Sequence, residues 1–117
     1  MAQFKFLLWL AYWYQQAQTF EFEWDAGNSK KSTHKHDVGL NEIESVFEMK
    51  LAVTVGRQIT PAVNEERLCL VGPTETGRML SVVFTLRDGR VRPISGRAAS
   101  RKERTLYEKI SKTLKSL

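Results

Sequence analysis

The chain has 117 residues, 42% of them hydrophobic and 26% charged, which suits one domain around one core and excludes a disordered segment. Its net charge of +5 is unevenly spread: residues 87–117 hold ten Lys/Arg against three Asp/Glu, and residues 1–86 hold eight against ten. A basic end on a mildly acidic body points to a polyanion or an acidic protein as partner. The single cysteine, Cys69, excludes an internal disulfide framework and makes a reducing cytoplasm the expected compartment.

In chain order, "FKFLLWLAYWY" (4–14) is apolar nearly all round and too short to span a bilayer. It also lacks a small-x-small cleavage site, so it reads as a helix packed on the domain or on a partner, or as an extension ahead of the domain proper. "FEFEW" (20–24) alternates with the period of a half-buried strand. "DAGNSKKSTHKHDVG" (25–39) is polar with weak helical content, and "LNEIESVFE" (40–48) gathers Leu40, Ile43, Val46 and Phe47 on one helical stripe.

Four β-branched runs follow at 51–55, 67–72, 79–86 and 90–95, the last three separated by the turn sequences "PTETG" and "RDG". They predict an antiparallel meander, with Pro93 at an edge or a bulge because it cannot donate to a ladder. Ser100 and Glu103 have the spacing of a capping box, opening a last helix with Leu106, Ile110, Leu114 and Leu117 expected as its buried stripe. The expected fold is α+β: an N-terminal strand, two helices, a four-strand meander and a C-terminal helix. Residues 1–19 are expected to lie outside the domain, which runs over 20–117.

Cys69 lies in the apolar run "RLCLVG" and reads as a small core residue, not a nucleophile. No glycine-rich phosphate loop follows a strand, and His34 and His36 have no further His or Cys to complete a metal site, so no cofactor or metal is called for. Basic residues, histidines and a tyrosine remain. That set suits metal-free RNA cleavage by the 2′-hydroxyl, which needs a base, an acid and fixed cations around the phosphorus. Arg97, Arg101, Lys102 and Arg104 surround a helix start, where cations oppose the dipole but add to its affinity for anions.

"FEWD" (22–25), "KS..KH.V" (31–38), "GRMLSVVFT" (77–85) and "RPISGRAASRKERTLYE" (92–108) together resemble the BrnT family of bacterial type II toxin–antitoxin systems. The resemblance covers about residues 20–110. It implies a RelE-like fold and a ribonuclease that inhibits translation. The implied partners are RNA and a BrnA-like ribbon–helix–helix antitoxin, in a hetero-oligomer that meets operator DNA only through the antitoxin; no membrane is involved.

Carried over by position, the implied catalytic residues are Lys35, His36, Arg97 and Tyr107, and the implied phosphate-binding residues are Arg92, Arg101, Lys102 and Arg104. Each has a plainer role beside it. His36 could end a helix, Arg97 could pair with Glu103 or Glu108, Glu103 caps, and Tyr107 could simply pack. Gly96 stands where the family usually has Ala, which is expected to loosen a turn holding Arg97, and Pro93 replaces a β-branched residue. A catalytically inactive interaction module, working only in a DNA-bound repressor complex, is the alternative function.

Overall fold

The β3–β4 hairpin shows how directly local chemistry shapes the sheet. Its two-residue turn, Asp88-Gly89, has φ of 53° and 78°, the left-handed pair that matches the twist of flanking strands. The computed structural model describes residues 2–30, 33, 36–60 and 65–115. Within them lie α1 (Ala2–Gln16), α2 (Leu40–Glu48), β1 (Val53–Thr60), β2 (Glu65–Pro73), β3 (Met79–Arg87), β4 (Arg90–Ala98) and α3 (Arg101–Lys115). The strands form one antiparallel sheet in the order β1-β2-β3-β4, which is the expected meander.

One sheet face carries the core. Leu68, Leu70, Leu80, Val82, Phe84 and Val91 pack there against Ile43, Val46 and Phe47 of α2, the stripe read from the sequence. Phe47 is the hub, meeting Phe84 edge-on at 4.9 Å, Phe22 at 5.5 Å and Phe20 at 5.6 Å. Such edge-to-face pairs add to the burial of apolar area.

Leu10 and Tyr14 of α1 are buried in this same cluster. The Tyr14 hydroxyl donates to the Val46 carbonyl at 2.8 Å and accepts from the Ala52 amide at 3.1 Å. Burial pushes its pKa up to about 12, against the lowering effect of the Ala52 amide. Lys50 donates to the carbonyls of Gln15 and Ala17, a cation at the helix end that favours one. Leu10 and Tyr14, with Trp13 packed against them, thus share a core with residues of the 20–117 region.

Two expectations need correction. The stretch 20–24 is no full strand: Phe22 makes an isolated parallel bridge to Val91, with Glu23 N–H donating to Val91 C=O and Val91 N–H donating to Glu21 C=O. Pairing stops there because the following residues 26–30 turn away, held by Asn28. Gly96, read as part of a turn, sits inside β4 opposite Val82. A Cβ there would lie 2.8 Å from the Ile43 side chain, so glycine lets α2 approach the strand. Within 25–39, where a helix was expected, residues 31, 32, 34 and 35 lie outside those described.

Pro93 satisfies both of its expected constraints. It lies on the edge strand β4, and the register shifts between Val83 and Phe84, so that Ser95 and Pro93 face these two neighbours.

Candidate active site

The face of the sheet away from the core meets the start of α3. Ser100 caps that helix: its hydroxyl accepts from Glu103 N–H at 3.2 Å, while its own N–H donates to Glu103 Oε1 at 2.8 Å. This is the capping box read from the spacing. Glu103 does more than cap. Its two oxygens also take the Arg97 guanidinium fork at 2.8 and 2.9 Å and the Ser81 hydroxyl at 3.1 Å. Ser81 in turn lies 3.5 Å from Cys69 Sγ, so one polar chain crosses β2, β3, β4 and α3.

Electrostatics follow from that geometry. Partial burial would raise the Glu103 carboxyl, but hydrogen bonds from Arg97, the Ser100 amide and Ser81 outweigh it and hold the pKa at about 2. The same pairing raises Arg97 above its ordinary value. Burial pushes the Cys69 thiol up, although Cys69 is half-buried beside Ser81 and outside the core cluster in which the sequence reading placed it.

Two arginines of β4 separate here. The Arg92 side chain is only 12% exposed and is held by two carboxylates: both Asp25 oxygens at 2.9 and 3.1 Å, and Glu23 at 3.1 Å. Asn28 locks the loop bearing them, donating to the carbonyls of Glu23 and Pro93 and accepting from the Asp25 amide. The Arg97 side chain is 45% exposed and is paired with one carboxylate, beside exposed Arg101, Lys102 and Arg104. A ligand phosphate can compete for Arg97; at Arg92 it would have to displace two acids.

Tyr107 lies one turn beyond Glu103, and its hydroxyl donates to the Leu51 carbonyl at 3.0 Å. His36 is exposed, one residue before Asp37, whose φ is 53° and whose carbonyl Arg78 holds at 2.9 Å. Among the described residues no hydrogen bond or ion pair joins His36 to Arg97 or Tyr107. Lys35 and His34 lie outside those residues. The structure therefore joins Arg97, Glu103 and Ser81, keeps Arg101, Lys102 and Arg104 near them, and sets Arg92 apart.

A family model described as "Ribonuclease toxin, BrnT, of type II toxin-antitoxin system" matches residues 24–103, well over half of the chain. The chain belongs to the BrnT family. The crystal structure of the Brucella abortus ribonuclease toxin BrnT superposes with a TM-score of 0.53 at 20% identity, covering 71% of this chain and all of that one. At that identity the likeness speaks for the fold. No curated protein matches the sequence.

The BrnT-matching span takes in Trp24, Asp25, Arg92, Arg97, Ser100 and Glu103, and leaves out α1, Arg104 and Tyr107. Of "FEWD" (22–25) only Trp24 and Asp25 fall within it, and both have structural partners. Trp24 donates to Glu44 at 2.7 Å and Asp25 holds Arg92. Sequence reasoning missed Ser81, and the only signal for it was a polar residue breaking the apolar run "MLSVVF". Among the described residues no helix is long and apolar enough to cross a membrane.

Proposed function

We propose that this chain is a ribonuclease toxin that cuts RNA without a metal ion, inhibits translation and is neutralised by a BrnA-like antitoxin. The observation that carries this reading is the half-exposed Arg97, aimed from β4 at the start of α3 among three further cations. Preformed cations at a helix N-terminus suit a phosphodiester, and a guanidinium fork matches its two free oxygens.

In the reaction the 2′-hydroxyl oxygen attacks the adjacent phosphorus and loses its proton to a base. The bond from phosphorus to the 5′-oxygen breaks, and an acid protonates that oxygen. The products are a 2′,3′-cyclic phosphate and a 5′-hydroxyl. Arg97 would stabilise the charge gathered on phosphorus, with Arg101, Lys102 and Arg104 holding neighbouring phosphates. His36 and Lys35 are the proton carriers the family resemblance suggests, and Tyr107 would have to release the Leu51 carbonyl to join them.

The assay uses a long RNA with purified chain in excess EDTA. Cleavage to cyclic-phosphate ends is expected, with Arg97→Ala slower by about 10²–10³ and His36→Ala by about 10²–10⁴. Full activity of both variants would put the site elsewhere, and loss of cleavage in EDTA would end the metal-free mechanism. One observation favours the inactive interaction module instead: Arg97 is already satisfied by Glu103. That reading predicts no cleavage by the wild type and no growth arrest on induced expression.

A further inference from the structure

A helix buries its apolar stripe, and α3 has one that it does not bury. None of the residues from Arg101 to Thr113 is fully buried, although Leu106, Tyr107 and Ile110 share one side of the helix. Glu103 and Tyr107 hold the helix to the sheet layer by hydrogen bonds to Ser81, Arg97 and the Leu51 carbonyl. Beside that seam, Leu106, Lys109, Ile110 and Thr113 line an open groove of about 340 Å³. Leu106 is 41% exposed, and Leu51, across the Tyr107 contact, is 52% exposed. Lys102 and Lys109, both exposed, flank this apolar strip, while Arg101 and Arg104 project from other sides of the helix.

We infer that this groove is the seat of an acidic amphipathic helix of the antitoxin, an assignment that rests on the toxin reading above. Charge decides among occupants. A second copy would set one cationic helix against another. RNA binds single-stranded through aromatic stacking and phosphate contacts, and Leu106 and Ile110 offer it no aromatic plane. A membrane-surface helix puts Trp or Phe on its apolar side, and α3 has neither. A helix with Leu or Ile along one side and Glu or Asp along its flanks fits both the groove and its rim. Seated there, it would pass Lys102 toward the start of α3 and Arg97. The toxin would be silenced by cover, with no change in the active-site network.

The test is calorimetric titration of the full chain with the small protein encoded beside it. Leu106→Asp is expected to weaken binding at least about a hundredfold, the scale of a central interface anchor, and Lys109→Glu to weaken it less and flatten its salt dependence. Both variants should keep the wild-type melting temperature and RNA cleavage rate, and Leu106→Asp should arrest growth even when the partner is co-expressed. Should Leu106→Asp melt early, Leu106→Ser and Ile110→Ser repeat the measurement.

Unchanged binding in folded variants would overturn the inference. So would a dimer of the isolated chain that Leu106→Asp dissociates. Binding to vesicles of equal phosphatidylcholine and phosphatidylserine, lost in Leu106→Asp while the partner still binds, would make the groove a membrane seat. A wild-type chain that cuts no RNA but binds the partner through Leu106 would fail the toxin reading and keep this one.

Discussion

The helices near the two ends of the chain are attached by opposite means. α1 is held by burial: Leu10 and Tyr14 enter the core, and Tyr14 ties two backbone groups that water cannot reach. α3 is held by polar seams, Glu103 on Arg97 and Ser81 and Tyr107 on Leu51, with its apolar residues left half open. Burial is hard to exchange, whereas a carboxylate–guanidinium pair can give way to another anion. The first attachment serves the fold, and the second leaves α3 available to ligands.

The largest effect should come from breaking the α1 attachment. Tyr14→Ala empties a core site and orphans Val46 C=O and Ala52 N–H, and is expected to cost about 3–5 kcal/mol in a denaturant titration. A chain starting at Thr19 would sharpen the point. If it unfolds cooperatively at the wild-type midpoint, α1 is dispensable and its burial contributes little. Tyr14→Phe keeps the ring, so its expected cost falls to about 1–3 kcal/mol.

At α3 the second effect is ionic. If Arg97, Arg101, Lys102 and Arg104 each hold one phosphate, RNA affinity should fall about 50-fold between 50 and 200 mM salt. A flat response would mean that these cations do not face RNA. Smaller still is Glu103→Ala, which removes half of the capping box and should cost about 1 kcal/mol of stability. The same change frees Arg97, so RNA binding should tighten as stability falls, an opposition that nothing at α1 could produce.

The smallest effect is in acid. Folding lowers the Glu103 pKa from its ordinary value near 4.3 to about 2, so its contribution is complete above pH about 4.5 and fades as pH falls through about 2. An early loss of the α3 signal by NMR over that range, with the Tyr14 environment intact, would separate the two attachments. Simultaneous loss would join them.

What could be read from the sequence was what is decided locally. The period of two, the "RDG" turn and the Ser100–Glu103 spacing each act within a few residues, and the meander, the hairpin and the helix start followed from them. Arg92 could not be sorted from Arg97 that way. Its two carboxylates come from Glu23 and Asp25, far earlier in the chain, and only the parallel bridge at Phe22 brings them alongside β4. Gly96 was opaque for the same reason, since the atom that excludes a Cβ belongs to Ile43. The double duty of Glu103 needed Ser81 across the sheet. Local chemistry draws the elements, and distant pairing assigns the charges.

The polar chain from Cys69 through Ser81 and Arg97 to Glu103 also carries a timetable. Synthesis adds residues in order, and domains gain structure as their parts leave the ribosome. Three strands must emerge before the carboxylate that joins them, so Arg97 has no partner and no fixed direction until Glu103 is out. Arg97, Arg101, Lys102 and Arg104 lie within six residues of Glu103, so the cations of the site emerge together with the carboxylate that orients Arg97, after the strands it joins.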